Sequence, residues 1–90
     1  MVNSPNVPNP FNPEIVIRYQ LREESAVNTA VYDILGRRVT TLVEEVQQGG
    51  HYSIAWDGCD ESGEKAAAGI YFYHLQAGSF TQTRKMALVK

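Results

Sequence analysis

Hydrophobic and polar residues alternate along most of the chain, with the period of two that is typical of half-buried strands. In the segment EIVIRYQL, one face carries Ile15, Ile17, Tyr19 and Leu21. Similar strand patterns recur in the segments AVNTAVYD, RVTTLV, HYSIAW, IYFYHLQA and FTQTRKMALVK. We therefore predict a series of short strands, and no segment has the pattern of a long helix.

Turn residues separate these strands. Residues 33–36 (DILG) link two strands, and Gly36 can adopt the positive φ that such a turn often needs. Residues 49–50 precede the strand of Tyr52, residues 57–63 form a polar loop, and residues 77–79 predict a hairpin. Residues 44–48 are polar and too short for a helix, and residues 65–68 predict an extended crossover.

This spacing predicts an all-β fold, an antiparallel β-sandwich of about seven short strands. Each strand has one apolar face, so two sheets must bury those faces against each other. Trp56 and Tyr71 are the largest side chains expected in the middle of the core.

Size and charge limit the possible functions. A chain of 90 residues forms one domain, and its net charge of −2 includes no basic block. Because phosphate binding needs clustered Lys and Arg, we expect no nucleic-acid partner. The single cysteine, Cys59, excludes an internal disulfide.

The first thirteen residues read as a Pro/Asn-rich leader or linker, before a domain at residues 14–90. Pro8, Pro10 and Pro13 favour an extended backbone, which can follow a sheet edge but cannot join a central strand. Phe11 either plugs the end of the sandwich, a structural role, or is exposed on a stiff interdomain linker. Both alternatives imply further chain upstream.

Three sets of polar residues are candidates for chemistry, and we expect none of them to form a site. His51, Ser53 and Asp57 suggest a catalytic triad, but no motif for a nucleophile or oxyanion hole accompanies them. Cys59 with His51 and His74 matches no zinc spacing. We therefore predict no enzyme activity, no cofactor and no metal.

The acidic loop at residues 57–64 is the third set, and it suggests calcium. Cys59 occupies a position where an EF-hand loop would carry Asp or Asn. We instead expect Asp57 and Asp60 to accept backbone hydrogen bonds in Asx turns, with structural roles for Gly58 and Gly63.

The aromatic residues suggest a platform for sugars, which would include Tyr52, Trp56, Tyr71, Phe72 and Tyr73. Trp56, Tyr71 and Tyr73 occupy inward positions, which favours core packing. Phe72 shares an outward face with Ile70. This pair is either a contact patch for a partner or is covered by the leader or a nearby loop.

The ordered set PNPFNP, IRYQL, VYDILGRRVTTLVEE, GGHYSIAWDGCDESGEKAAAGIYFYHLQAG and KMALVK resembles the C-terminal sorting domain of proteins exported by the type IX secretion system of Bacteroidetes. It is also similar to the immunoglobulin-like domain of the flagellar hook-capping protein. The resemblance extends from Asn9 to Lys90 and implies an immunoglobulin-like sandwich. Cys59 departs from the pattern, since polar or charged residues are usual there, and it adds an exposed thiol.

The resemblance implies a domain at the C-terminus of a larger cargo protein, which passes through the periplasm to the cell surface or the medium. Its expected partners are the upstream cargo and the outer-membrane secretion machinery. In many relatives a sortase-like protease removes the domain, and the sequence leaves open whether this domain is cleaved or retained. The family's recognition residues map here onto Gly69, Tyr71, Lys85, Met86, Ala87, Leu88, Val89 and Lys90.

Two physical interpretations of the last strand stay open. As an edge strand it could be bound by strand addition, with Lys85 and Lys90 supplying charge and Met86, Leu88 and Val89 apolar anchors. As a closing strand it would place Met86 and Leu88 in the core. An edge strand could also pair with a copy of itself in weak self-association.

A different class of function is compatible with the same fold. The domain could be a structural or carbohydrate-binding accessory domain of a multidomain secreted enzyme, with no role in export.

Overall fold

The computed structural model describes residues 14–89, which form two antiparallel sheets. The six strands are β1 (Ile15–Leu21), β2 (Ser25–Asp33), β3 (Arg38–Gln47), β4 (Gly50–Trp56), β5 (Gly69–Ala77) and β6 (Phe80–Leu88). β1 and β4 pair in one sheet, and the other has the order β3-β2-β5-β6. The predicted all-β sandwich is confirmed, whereas the leader with Phe11 and the terminal Lys90 lie outside the described residues.

The strands differ from the prediction in number and in one boundary. In place of a seventh strand, the crossover between β4 and β5 contains a single bridge from Cys59 to Lys65. β3 continues beyond the predicted RVTTLV segment, because its polar end pairs with the start of β2, with Gln47 opposite Ser25. Backbone pairing overrides the low strand propensity of these polar residues. Within the described part of the chain, no helix has the length and apolar character that crossing a bilayer requires.

The turn between β2 and β3 forms at residues 33–36, as predicted. Gly36 has a φ of +82°, and its N–H donates to the Asp33 carbonyl at 2.9 Å. The Asp33 Oδ1 atom accepts from the N–H groups of Leu35 and Arg37, both at 2.9 Å. The aspartate therefore satisfies backbone donors that the hairpin cannot pair.

The core lies between the two sheets and contains Trp56, which has only 1% of its surface exposed. The Tyr71 ring meets Trp56 edge-on, with centroids 5.1 Å apart and planes at 66°. Trp56 Nε1 donates to the Cys59 carbonyl at 2.9 Å, and the Tyr71 hydroxyl donates to the Ala67 carbonyl at 2.6 Å. These two bonds fasten both ends of the crossover to the core.

Thr29 is the polar exception among the buried residues of β2. It is completely inaccessible to solvent, and its hydroxyl has no hydrogen-bond partner. A buried hydroxyl without a partner lowers stability, because it has lost its hydrogen bonds to water.

Replacing Thr29 with Val should therefore raise the free energy of unfolding by about 1 kcal/mol, since the methyl group takes the place of an unpaired hydroxyl. Urea titration would measure the change. Thr81→Val on exposed β6 is the matched control and should change stability by less than about 0.5 kcal/mol. A Thr29→Val domain less stable than the wild type would contradict this account of the core.

Candidate functional site

β6 is at the border of the four-stranded sheet, and within residues 14–89 it pairs only with β5. The two strands join through the two-residue turn of Gly78 and Ser79, so the first ladder pair is Ala77 opposite Phe80. In such a hairpin the flanking pair exchanges both hydrogen bonds, and the pattern then alternates. Lys85 and Ala87 therefore direct their N–H and C=O groups away from β5, toward the open edge.

The side chains of β6 divide between the core and the solvent. Met86 and Leu88 are buried, with 7% and 2% of their surfaces exposed. Lys85 and Ala87 are exposed on the opposite face, and Val89 beyond the strand is 72% exposed. The closing-strand interpretation therefore holds for Met86 and Leu88, which are in the core and cannot anchor a partner. Binding of a partner through Lys85 and Val89 stays a prediction.

Gly69 and Tyr71 are opposite the end of β6, where Gly69 pairs with Leu88 and Tyr71 with Met86. Gly69 is exposed, whereas Tyr71 is buried in the contact with Trp56. Tyr71 therefore packs in the core beside β6, and its part in recognition stays a prediction.

An apolar area on the outer face of the sheet adjoins the exposed side of β6. Ile70 is 38% exposed and opposite Ala87, and the half-buried Phe72 is opposite Lys85. On its other side Phe72 is opposite Tyr32 of β2. We call Ile70, Phe72 and Ala87 the outer-face patch. It is continuous with the reachable side chains of β6.

The sequence analysis missed two exposed aliphatic residues at the tip of the β2–β3 turn. Ile34 and Leu35 are 71% and 72% exposed. A four-residue turn cannot direct two consecutive side chains into the core. The DILG segment therefore already indicates that Ile34 and Leu35 are exposed. A shallow cavity of about 510 Å³ adjoins this turn and is bordered by Arg37, Arg38 and Tyr71.

The acidic loop after β4 forms the predicted Asx turns. The Asp57 Oδ1 atom accepts from the Cys59 N–H at 3.0 Å, and the Asp60 Oδ1 atom accepts from the N–H groups of Ser62 and Glu64, both at 3.0 Å. Gly63 has a φ of +88° and donates its N–H to the Asp60 carbonyl at 3.0 Å. The carboxylates of Asp57 and Asp60 thus accept hydrogen bonds from backbone N–H groups of the same loop.

The acidic side chains of the loop have separate partners and do not form a cluster that could bind a metal ion. Glu61 forms a salt bridge at 3.0 Å to Arg38 Nη2 of β3. Gly58 is buried and accepts a hydrogen bond from the Ala66 N–H at 2.8 Å. In residues 14–89, no three His, Cys, Asp or Glu side chains are close enough together to hold a metal ion.

The histidines and the cysteine are apart in the sandwich. His51 is on β4, whereas His74 is on β5 of the other sheet, with its Nδ1 atom 2.8 Å from the Thr83 hydroxyl. Cys59 is partly exposed within its loop, so the expected exposed thiol is only partly accessible. Burial, and then the nearby Asp57 charge, raise the pKa of the Cys59 thiol and disfavour the reactive thiolate.

Comparison with known proteins gives a consistent family and fold. The sequence profile of the FlgD Ig-like domain matches residues 13–80. Among solved structures, the chain is similar to FlgD from P. aeruginosa, with a TM-score of 0.64 and 29% identity. That match covers 83% of this chain and 60% of the FlgD chain, so this chain spans less than two thirds of that protein.

These matches confirm the predicted immunoglobulin-like fold. The matched family segment ends at the first residue of β6, so most of β6 lies beyond it. A search of the curated proteins finds no match.

The loop carboxylates predict how stability changes in acid. The Ser62 hydroxyl bond and backbone N–H groups lower the pKa of Asp60 below its usual value of 3.8. Because the pKa of Asp60 is lower in the folded state than in the unfolded state, its charge stabilises the fold at pH values above the unfolded pKa. This stabilisation is lost as the pH falls through the folded pKa. Asp60→Asn should therefore weaken the loss of stability on acidification, as measured by urea titration from pH 6 down to about pH 2.

Glu23→Gln in the β1–β2 loop is the control for removal of one surface charge. It should leave the pH dependence of the wild type unchanged. A profile for Asp60→Asn as steep as that of the wild type would show that the Asp60 charge does not stabilise the turn.

Proposed function

The chain belongs to the FlgD Ig-like domain family, and from that premise we propose that it is a non-enzymatic sorting domain for type IX secretion. It would direct a larger upstream cargo through the periplasm and across the outer membrane to the cell surface or the medium. The ordered motifs that resemble C-terminal sorting domains support this function. So does β6, which lies mostly outside the segment shared with the FlgD family profile.

The open edge of β6 is the observation that carries the proposal. Lys85 and Ala87 have backbone groups that point away from β5, so an extended segment of the secretion machinery could add as a further strand. Because Met86 and Leu88 are buried, the edge is held in a fixed conformation before any partner binds. Binding would then cost little conformational entropy.

Under this proposal the predicted recognition residues have two roles. Lys85, Ala87 and Val89 are exposed and would contact the partner. The positioning residues are Gly69, Tyr71, Met86 and Leu88. Ile70 and Phe72 would extend the contact across the outer-face patch, and contact by Lys90 stays a prediction from the sequence.

A structural role in a FlgD-like assembly is the second candidate, favoured by the family match and by the similarity to FlgD. In that role the domain would contribute to flagellar hook capping and would need no export partner at β6. The carbohydrate-binding alternative is less favoured, since Trp56, Tyr71 and Tyr73 are buried and cannot form a sugar platform.

Export of a reporter tests the sorting role. Residues 1–90 are fused to the C-terminus of a periplasmic reporter in a host with a type IX system. Lys85→Pro removes one N–H from the open edge and adds a ring there, while the ladder to β5 keeps its hydrogen bonds. We expect this substitution to lower the reporter on the cell surface and in the medium about tenfold, because strand addition is blocked.

Lys85→Ala separates the two contributions of this residue, since it removes the charge and keeps the N–H, and it should lower export less than Lys85→Pro does. A fusion that lacks residues 85–90 tests the whole terminal segment. If Lys85→Pro folds and is exported like the parent fusion, strand addition at β6 is wrong. If the fusion without residues 85–90 is also exported fully, the terminal strand is not the signal. If the parent fusion itself stays in the periplasm, the FlgD-like structural role is favoured instead.

A further inference from the structure

The two borders of the four-stranded sheet carry opposite charges, and we propose that copies of this chain associate head to tail through them. In this arrangement β6 of one copy pairs with β3 of the next and continues the sheet. The proposal goes beyond the sorting role, because it requires an acidic pair on β3 in addition to the open edge of β6.

Strand direction permits this pairing. Each strand in the order β3-β2-β5-β6 is antiparallel to its neighbours, so β3 and β6 run in opposite directions. When a second copy is moved sideways along the sheet, its β3 meets β6 of the first copy in an antiparallel orientation. The added strand therefore continues the alternation of the sheet.

The charges on the two borders are complementary. β6 carries Arg84 and Lys85 and has no carboxylate, whereas β3 carries Glu44 and Glu45. All four side chains are exposed, and none is in a salt bridge within residues 14–89. Glu45 accepts a hydrogen bond from the Gln47 amide at 3.0 Å, but a neutral amide leaves its charge uncompensated.

One antiparallel register satisfies both charge pairs. With Lys85 opposite Glu44, the preceding Arg84 is opposite Glu45. Lys85 and Glu44 are on the outer face of the sheet, and Arg84 and Glu45 are on the inner face, so each pair shares a face. Opposite charges directly across two strands stabilise the pairing. The same register places Thr83 beside Val46, which is 60% exposed in the isolated chain.

The backbone groups have the correct phase for this register. The backbone N–H and C=O groups of Ala77 point toward β6, so those of the preceding residue, Gln76, point toward β2. Gln76 is opposite Asn28, whose backbone groups point toward β5. Glu44 is opposite Asn28 on the other side of β2, so its own N–H and C=O point to the open edge. Lys85 points to the open edge of β6. Lys85 and Glu44 can therefore exchange both backbone hydrogen bonds.

Two features of β3 limit the strength of the contact. The bulge at Leu42 interrupts the regular strand, and the Val39 carbonyl already accepts a hydrogen bond from the Glu61 N–H at 3.1 Å. The regular open edge is therefore confined to residues 43–47. A ladder this short should give weak and reversible association that depends on ionic strength.

The alternative of β6 pairing with β6 of another copy is unfavourable, because it brings Arg84 and Lys85 near the same cations of the partner. The head-to-tail contact leaves one free border at each end of an assembly. Since a contact between two different surfaces need not close, the assembly should grow with concentration.

Sedimentation velocity with charge-reversed variants tests the proposal. The wild-type domain should show a rising sedimentation coefficient as its concentration approaches about 1 mM at low ionic strength, and a loss of that rise in about 0.5 M NaCl. Arg84→Glu with Lys85→Glu makes both borders acidic, and Glu44→Lys with Glu45→Lys makes both basic. Each double variant alone should stay monomeric. An equimolar mixture of the two should associate again, because each border then meets its opposite.

Arg22→Glu with Glu24→Lys exchanges two exposed charges in the β1–β2 loop and should associate like the wild type. Circular dichroism establishes that each variant is folded. A wild-type domain that stays monomeric at the highest concentration overturns the proposal. So does association of either charge-reversed variant alone at the wild-type level, or a mixture of folded variants that fails to associate.

Discussion

Among the described residues 14–89, β6 pairs with β5 on one side only, and the functional account depends on this constraint. Met86 and Leu88 fix the strand to the core, and β5 satisfies half of its backbone groups. The other half face an open edge. A strand that is held on one face and one side offers a partner a backbone that is already extended.

The packing around the crossover between β4 and β5 shows how the core holds β6 in this position. Trp56 and Tyr71 pack against each other, and each donates a hydrogen bond to a carbonyl of the segment that joins β4 to β5. Tyr71 is also opposite Met86 of β6. The aromatic pair therefore connects the two-stranded sheet, the crossover and β6 in one packed unit.

The alternation of apolar residues was sufficient to predict the sandwich and the burial of Trp56 and Tyr71, and the turn residues predicted the turns. The position of Met86 was left open between the core and a partner contact. Local pattern could not predict the full length of β3, because its polar end is a strand only through pairing with β2. The half-buried state of Cys59 likewise depends on how the loop folds over its own backbone.

Strand order was also beyond the sequence, since periodicity identifies the buried face of a strand but not its neighbours. The site followed from the sequence only in part. The terminal segment was identified by resemblance, whereas the division between reachable Lys85 and buried Leu88 required the register. The sequence could not reveal the opposite charges of the two sheet borders, because it does not show that β3 and β6 are the outer strands.

Amide hydrogen exchange along β6 tests the central claim most directly. The N–H groups of Arg84 and Met86 bond to β5 and should exchange slowly, whereas those of Lys85 and Ala87 face the open edge and should exchange quickly. This alternation should be measured by NMR on dilute domain at moderate salt, where copies do not associate. Slow exchange at Lys85 and Ala87, equal to that of their neighbours, would mean that the edge is covered and that the account is wrong.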